Sequence, residues 1–277
     1  MSAALRVNGD GRPGAEVTGI DLATADQATI DWIKQELATH GVLAFKKQTL
    51  PPETYIGLAR MFGEIEPSTR EQYWHPVYPE IYMISNVVEN GRPLGNPNDG
   101  FAWHTDQYYF ERPTAYTFLY AIETPPEGGD TQFCSTYELY DALSDELRDA
   151  YSKLSINASH SKLNAGRLHE GQEEKYPDIP QPLVRKHPIS GRKFLYFSSK
   201  LTSVPAGTMT QSELEDLHGK LMKEATRPER VYSHKWEPGD VVIWDNRGLL
   251  HTATGYDKQR HRRICQRLSV IGEKPIQ

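Results

Sequence analysis

The sequence lacks the features that mark secreted and membrane proteins. It has two cysteines, Cys134 and Cys265, among 277 residues, which excludes a disulfide framework as the source of stability. It has no apolar run of about 18 residues, which excludes a conventional transmembrane helix. Residues 1–6 contain no long apolar signal core. These absences predict a cytoplasmic protein with reduced cysteines.

A surplus of positive charge is also missing. The chain has 31 basic and 37 acidic residues, and its formal net charge is −6. A negative overall field does not suit an anionic partner, so neither nucleic acid nor an anionic membrane surface is expected. With 38% apolar residues and no internal repeat, the composition is typical of a globular protein.

What the sequence does contain is many short apolar or alternating runs, which predict strands, and few helices. Apolar residues recur at helical spacing over 24–40, after Pro51, over 136–150 and over 210–225. This pattern favours a mainly β fold with flanking helices, a sandwich or jelly roll, in a single domain spanning residues 1–277. The polar, proline- and glycine-containing stretch 162–182 predicts an exposed, flexible insertion within that domain.

Two irregular stretches are candidate borders of a pocket. Residues 64–80 are rich in aromatic side chains, and a surface crossover explains them equally well. Residues 89–100 are rich in glycine, proline and asparagine, which predicts a mobile loop able to act as a lid.

The chemistry centres on His104 and Asp106, in the run Trp103-His104-Thr105-Asp106. In an extended strand, side chains two residues apart point to the same face, so both ligands can reach one metal ion. A third ligand is available at His251, just after a predicted strand and a tight turn. Two imidazoles and one carboxylate form the facial triad of non-haem Fe(II) oxygenases, although an isolated His-x-Asp tripeptide is more often a turn or surface feature.

A second pattern lies in the last predicted strand. Arg263, Cys265 and Arg267 alternate along one face of an otherwise apolar run. A planar guanidinium that faces a pocket is suited to binding a carboxylate with two hydrogen bonds, and the hydroxyl of Thr131 is a candidate to share that carboxylate. A single arginine is more often a solvated surface charge.

These motifs together resemble one family. The chain resembles the taurine dioxygenase (TauD/TfdA) family of Fe(II)- and 2-oxoglutarate-dependent dioxygenases over nearly its whole length. The residues that carry the resemblance are Gly14-Ala15-Glu16-Val17, Trp103-His104-Thr105-Asp106, Gly128-Gly129-Asp130-Thr131, Arg185-x-His187-Pro188-x-Ser190-Gly191, Trp244-Asp245-Asn246-Arg247 with His251, and Arg263-Ile264-x-x-Arg267.

The resemblance implies a double-stranded β-helix (jelly roll) with helices packed outside. It implies Fe(II) bound by His104, Asp106 and His251, and 2-oxoglutarate held at its distal carboxylate by Arg263 and Thr131. The family's reaction oxidises a C–H bond of a small molecule with O₂ and releases succinate and CO₂. It also implies small-molecule partners, with a homo-oligomer as an open alternative.

The resemblance further matches Arg267 to the arginine that binds the acidic group of the substrate, a carboxylate or sulfonate. The chain departs from the taurine-binding pattern, since Gly100 stands where those members carry asparagine, and Lys162 stands near the position of their aromatic contact. These changes favour a larger or more anionic substrate than taurine, contacted by Tyr73, Tyr108 and Lys162 together with Arg267.

Two other functions use the same residues. The first is a non-oxidative hydrolase or isomerase with zinc or manganese at the three ligands, in which Arg263 and Thr131 would have no oxoglutarate to hold. The second is a non-catalytic jelly-roll binding protein, because a fold does not by itself define a function.

Overall fold

The computed structural model describes residues 3–9, 11–160, 176–198 and 209–276. The strands of this part of the chain are β1 (Ala4–Val7), β2 (Ala15–Thr18), β3 (Val42–Phe45), β4 (Tyr82–Ser85), β5 (Val88–Glu89), β6 (Arg92–Pro93), β7 (Thr114–Glu123), β8 (Thr131–Ser135), β9 (Ser155–Ala158), β10 (Ile179–Pro182), β11 (Val184–Lys186), β12 (Lys193–Leu195), β13 (Tyr232–His234), β14 (Val241–Asp245), β15 (Leu249–Ala253) and β16 (Ile264–Ile271). The helices are α1 (Gln27–His40), α2 (Pro52–Phe62), α3 (Tyr137–Asp141), α4 (Asp145–Ser152) and α5 (Gln211–Ala225).

Two sheets form the centre of the fold. The larger has seven strands in the order β1-β2-β3-β14-β7-β16-β4, and the smaller has three in the order β13-β8-β15. Neighbouring strands are antiparallel except for the parallel pair β2 and β3. Three two-stranded ribbons, β9-β10, β11-β12 and β5-β6, lie outside these sheets. A mainly β architecture with few helices is what the sequence predicts.

The larger sheet is buried on both faces, which explains why its central strands read as continuous apolar runs. In β14, Val241 and Ile243 pack into the core that contains residues of α1 and α2. The alternate side chains, Val242 and Trp244, pack with Phe133 of β8 into the layer between the two sheets. The period of two therefore sends every second residue of β14 toward the interior of the sandwich, the side on which the candidate site lies.

Helix boundaries follow local capping. Helix α1 begins at Gln27 and not at residue 24, because the Asp26 side chain accepts a hydrogen bond from the backbone N–H of Thr29. The helical segment 136–150 contains two helices, α3 and α4; as its sequence indicates, Ser144 caps the second, with Asp145 and Glu146 in the first turn. No helix in the described part of the chain combines the length and apolar content needed to cross a membrane.

The predicted insertion at 162–182 is only partly within the described chain. Ile179–Pro182 form β10, which pairs with β9, so this end of the predicted insertion has regular structure, with Pro180 exposed. Gln181 is buried there, and its side-chain amide donates to the backbone carbonyl of Phe110 at 2.7 Å. Residues 161–175 lie outside the described residues.

Candidate active site

Two segments far apart in sequence meet in a single backbone bridge. The N–H of His104 donates to the carbonyl of His251 at 2.9 Å, and the N–H of His251 donates to the carbonyl of His104 at 2.8 Å. The bridge places the two imidazole rings side by side, with centroids 4.1 Å apart. Backbone hydrogen bonds therefore align the two nitrogen ligands before any metal is considered.

Asp106 reaches the same point through a turn. The predicted strand over 103–106 is wrong, because His104 makes an isolated bridge and residues 106–109 form a turn. Gln107 has a φ of +45° in that turn, outside the strand region. The turn is held by Asn246, whose side-chain oxygen accepts from the N–H of Asp106 at 3.3 Å. The hydroxyl of Thr105 donates to the backbone carbonyl of Asn246 at 2.7 Å.

The three predicted ligands converge. One ligand atom from each of His104, Asp106 and His251 lies within 4.8 Å of the others. Nε2 of His104 is 3.6 Å from Oδ1 of Asp106, and Nε2 of His251 is 3.7 Å from Oδ2. Within the described residues no other group of histidine, cysteine, aspartate or glutamate side chains meets this test. Two nitrogens and a carboxylate at this separation fit one ferrous ion with an open face.

The hydrogen-bond partners and surroundings favour the forms that bind metal. Nδ1 of His104 lies 2.6 Å from the carbonyl of Ala102, so Nδ1 carries a proton and Nε2 is the nitrogen left for a metal. Burial acts to lower the pKa of His104, but the hydrogen bond and charge of Asp106 raise it, so metal binding would displace a proton from Nε2. Burial lowers the pKa of His251 to about 3, and the neighbouring His104 acts in the same direction. Burial alone would raise the pKa of Asp106, but the positive charge of Arg267 and the hydrogen bond with His104 keep that pKa far below its ordinary value. A neutral His251 and an ionised Asp106 are the states that a divalent ion requires.

A chain of buried hydrogen bonds supports Asp106 from behind. The hydroxyl of Thr117 donates to Oδ2 of Asp106 at 2.7 Å, and the side-chain amide of Asn246 donates to Thr117 at 2.7 Å. Nε1 of Trp244 donates to the side-chain oxygen of Asn246 at 3.0 Å. Thr117 and Asn246 are fully buried. The Trp244-Asp245-Asn246-Arg247 motif pointed to this region, whereas nothing in the local sequence singled out Thr117.

A cavity of about 370 Å³ is lined by two of the three ligands, His104 and Asp106. The side chain of His104 is 24% exposed and those of Asp106 and His251 are 5% and 8% exposed, so the cluster is reached from the His104 side. Residues that line the cavity include Ser68, Thr69, Arg70, Tyr82, Asp99, Phe101, Tyr108, Tyr109, Ser198 and Arg267. The loop over 64–80 therefore borders the pocket, and the alternative of a surface crossover does not hold for residues 68–70.

The residues predicted to hold the distal carboxylate of 2-oxoglutarate lie at one end of the smaller sheet. Thr131 pairs with Ala253 across β8 and β15, and the Arg263 side chain packs against Gly129. The hydroxyl of Thr131 accepts from Nε1 of Trp236 at 3.0 Å, which leaves its own proton free to donate. Arg263 is 6% exposed, and its Nε has no hydrogen-bond partner among the described residues.

A buried guanidinium nitrogen without a partner is costly unless an acceptor binds it, and an anionic ligand would supply that acceptor to Nε of Arg263. The cavity that Arg263 lines shares Asp99 and Phe101 with the larger cavity beside the metal ligands. The described residues therefore fit both groups: a His₂-carboxylate donor set for a ferrous ion and a buried cation for a dicarboxylic acid.

The predicted substrate contacts fall in three different places. Arg267 and Tyr108 line the cavity, and Nη1 of Arg267 lies 3.6 Å from Oδ1 of Asp106. Tyr73 is not among the described lining residues. Its ring packs edge-on against the lining residue Tyr82, with centroids 6.2 Å apart. Lys162 lies outside the described residues. Arg70 and Asp99, which also line the cavity, were not identified from the sequence as site residues.

The fold and the site define a jelly-roll enzyme with a mononuclear metal centre. The model of the taurine catabolism dioxygenase TauD, TfdA family matches residues 7–268, and the chain belongs to that family. It is 35% identical over 268 residues to the alpha-ketoglutarate-dependent 2,4-dichlorophenoxyacetate dioxygenase of Cupriavidus pinatubonensis, which covers 90% of this chain and 92% of the relative.

Solved structures give the same result. AAD-2 in complex with Mn(II) and N-oxalylglycine matches with a TM-score of 0.85 and 28% identity, over 100% of this chain and 99% of that one. A taurine dioxygenase from Burkholderia xenovorans matches with a TM-score of 0.80 and 29% identity, over 99% of this chain and 91% of that one.

These comparisons confirm the predicted jelly roll and the predicted enzyme class. The protein is an Fe(II)- and 2-oxoglutarate-dependent dioxygenase, and its predicted cofactors agree with the His-Asp-His cluster. The assignment decides against the two alternatives, a non-oxidative hydrolase or isomerase and a non-catalytic binding protein.

Proposed function

We propose that this dioxygenase oxidises a C–H bond of a small molecule that carries a carboxylate or a sulfonate. His104, Asp106 and His251 would hold the iron, and Arg263 with Thr131 would hold the distal carboxylate of 2-oxoglutarate. When bound together, the iron and 2-oxoglutarate would activate O₂ for C–H oxidation, with succinate and CO₂ as coproducts. The observation that carries the substrate class is Arg267, whose side chain is 13% exposed and lines the cavity 3.6 Å from a metal ligand.

The placement of Arg267 constrains the substrate geometrically. A guanidinium can bind an acid group with two hydrogen bonds and so orient the rest of the molecule. Because Arg267 contacts Asp106, an acid bound there keeps its neighbouring carbon atoms close to the metal centre. Tyr108 and Tyr109 provide an aromatic wall beside the ligands, which suits an apolar or aromatic body on the acid.

The likeness to relatives supports both acid classes. One relative's name specifies 2,4-dichlorophenoxyacetate, a carboxylate, and a structural neighbour is called a taurine dioxygenase, which indicates a sulfonate. N-Oxalylglycine, found in another neighbour, carries the same 2-oxo acid and distal carboxylate as 2-oxoglutarate. The substrate is therefore sought among acids, with aryloxyacetates and alkylsulfonates first.

The test has two stages. Anaerobic protein with Fe(II) and 2-oxoglutarate is first examined for the weak visible charge-transfer band of the chelate. Succinate release is then measured with aryloxyacetates, alkylsulfonates, phosphonates and amino acids, each acid being compared with its neutral methyl ester or amide. We expect acids to stimulate succinate release and their neutral forms not to do so.

A matched pair of variants isolates the role of Arg267. Arg267→Gln should raise the KM of the acid substrate about a hundredfold, since a charge-assisted bidentate contact is lost. Arg60→Gln removes an exposed arginine that pairs with Glu80, and should leave KM unchanged. Equal stimulation by esters, or an unchanged KM in Arg267→Gln with the charge-transfer band intact, would reject the acid-substrate proposal.

We also propose a reducing, cytoplasmic setting. Cys134 and Cys265 are both unpaired and fully buried. Burial raises the pKa of Cys134 to about 12, and burial also raises the pKa of Cys265, so both thiols stay protonated and unreactive. Labelling of the native protein with a thiol reagent should be slow. Fast labelling would show that the two thiols are accessible and reactive.

A further inference from the structure

A second charged cluster lies on the wall of the cavity, beside the metal ligands. Oδ1 of Asp99 accepts from Nη1 of Arg70 at 3.2 Å, and Oδ2 of the same carboxylate accepts from Nη1 of Arg267 at 3.2 Å. Each oxygen therefore serves a different guanidinium, and Asp99 bridges the two arginines. All three side chains line the cavity, so the bridge stands where the acid group of a substrate is expected to bind.

The contacts of Asp99 are weak for a carboxylate between two guanidinium groups. Its two ion-pair distances exceed the roughly 2.7–2.9 Å of a strong charge-assisted hydrogen bond. A third donor, the side-chain amide of Asn96, is also 3.2 Å from Oδ1. Three long hydrogen bonds hold the carboxylate in place, and the free energy lost on breaking them is small when another anion replaces Asp99.

The backbone around Asp99 is anchored on both sides. Nζ of Lys258 donates to the carbonyl of Pro97 at 2.6 Å, and the N–H of Ala253 donates to the carbonyl of Gly100 at 2.7 Å. Exchange of the Asp99 carboxylate for a ligand therefore needs a rotation of its side chain and no displacement of the segment. The Asp99 side chain is 16% exposed, which gives it room on the cavity side.

Arg267 has capacity for an additional anion. Its Nε is buried and has no hydrogen-bond partner among the described residues. Its Nη1 lies 3.2 Å from Oδ2 of Asp99 and 3.6 Å from Oδ1 of Asp106. When a divalent ion binds Asp106, the charge of that carboxylate is offset, and Arg267 can then accept another anion.

We propose that Asp99 is an internal competitor for the substrate's acid group, and that Arg70 joins Arg267 in binding that group when Asp99 turns away. This inference rests on the proposed acid-substrate function and adds Arg70 and Asp99 to its specificity. The ligand class is an oxyanion with two oxygens that span both guanidiniums, as the Asp99 carboxylate does. Acids with little else to contact are disfavoured, because they must displace an anion that is already in place.

The test measures binding without turnover. Protein loaded with Mn(II) and N-oxalylglycine is titrated calorimetrically with phenoxyacetate and, separately, with ethanesulfonate. In Asp99→Asn the amide competes poorly for the guanidiniums, and the Kd of both probes should fall about tenfold, the equivalent of one lost charged contact. Asp99→Ser tests the same point if the asparagine variant is poorly folded.

Two further variants separate competition from a general change in charge. Asp149→Asn removes an exposed carboxylate paired with Lys153, and should leave both Kd values unchanged. Adding Arg70→Gln to Asp99→Asn should cancel most of the gain, because the released arginine is the new contact. If the Kd of both probes is unchanged or higher in Asp99→Asn, the inference is overturned.

The outcome is distinguishable from failure of the proposed function. If wild-type protein shows acid-stimulated succinate release but Asp99→Asn does not tighten the probes, the internal-competitor inference alone fails. If no acid stimulates succinate release while the probes still tighten in Asp99→Asn, the anion site stands and the substrate proposal fails.

Discussion

The hydroxyl of Thr117 donates a hydrogen bond of 2.7 Å to Oδ2 of Asp106, whose other oxygen faces Nε2 of His104 at 3.6 Å. One oxygen of the carboxylate is thus tied to β7, and the orientation of the other follows from it. Asn246 fixes the Thr117 hydroxyl in turn, with a donor at 2.7 Å. A single buried hydroxyl therefore links the larger sheet to the candidate metal centre.

Removing that hydroxyl should weaken metal binding. Thr117→Val keeps the volume of the side chain but leaves Oδ2 of Asp106 and the amide of Asn246 without their partner. We expect Mn(II) affinity, measured by electron paramagnetic resonance titration, to fall about 10–100-fold, the usual effect of losing a residue that orients a metal ligand. Thr117→Ser keeps the hydroxyl and should bind nearly as wild type. Equal Mn(II) affinity for the valine and serine variants would contradict this role.

The buried guanidinium of Arg263 should govern affinity for 2-oxoglutarate. Arg263→Gln removes the buried positive charge that is proposed to bind the distal carboxylate, so the KM for 2-oxoglutarate should rise about 10–100-fold. Arg262→Gln is a matched control, because the adjacent Arg262 is exposed and pairs with Glu123. Steady-state succinate formation at varied 2-oxoglutarate measures both. The same KM in the two variants would show that Arg263 does not bind the cosubstrate.

Stability should depend on the ionisation of Asp240. This carboxylate is fully buried and accepts from Nζ of Lys46 at 2.8 Å and lies 3.1 Å from Nε2 of His234. Burial would raise the pKa of Asp240, but the hydrogen bonds from His234 and Lys46 lower it below 3.8. Because the folded-state pKa is depressed, the contribution is present above pH 3.8 and is lost as the pH falls through the folded-state value.

Asp240→Asn should lower the free energy of unfolding by about 2 kcal/mol at neutral pH, as expected for hydrogen bonds to a charged group. Urea denaturation should give the same loss at about pH 7 and about pH 5. The loss should become smaller as the pH falls below 3.8 toward the depressed folded-state pKa, because the carboxylate of the unfolded chain is then protonated first. Asp149→Asn, at an exposed pair with Lys153, serves as the control. A loss that is independent of pH throughout would argue that packing and not charge is responsible.

Two glycines should respond to alanine in opposite directions. Gly128 has a φ of +73°, and a Cβ there would lie 2.4 Å from the carbonyl oxygen of Gly255, so Gly128→Ala should destabilise by about 1–3 kcal/mol. Gly57 lies in α2 with nothing within 4 Å of an added Cβ, so Gly57→Ala should stabilise by about 0.5–1 kcal/mol. Thermal unfolding measures both. A neutral Gly128→Ala would mean that the turn before Thr131 tolerates rearrangement.

Much of the architecture could be predicted because burial imposes a period on the sequence. The apolar run Val42–Phe45 forms the buried strand β3. Alternation in the last predicted strand placed Arg263 and Arg267 on one face; Arg263 is buried, and Arg267, with its side chain 13% exposed, lines the cavity. His251 was found because it follows a strand and a tight turn at the spacing of a known family.

The remaining features depend on contacts between distant segments, which local sequence does not encode. Asp106 was placed in a strand, but hydrogen bonds to Asn246, which is 140 residues away in sequence, hold it in a turn. Arg70 lies in an irregular loop, and its proximity to Arg267 appears only when that loop folds over β4 and β16. Thr117 is one of two threonines in β7, and the local sequence does not distinguish it from Thr114; its hydrogen bonds with Asp106 and Asn246 identify it.

The backbone bridge between His104 and His251 has a consequence for handling the enzyme. Its two hydrogen bonds, of 2.9 and 2.8 Å, involve neither imidazole, so they persist whether or not the rings are coordinated. A chelator that strips the ion should therefore leave a preformed template and not a collapsed pocket. A metal ion can then rebind from the exposed side of His104. Other divalent ions can compete with Fe(II) for the same three ligands during purification.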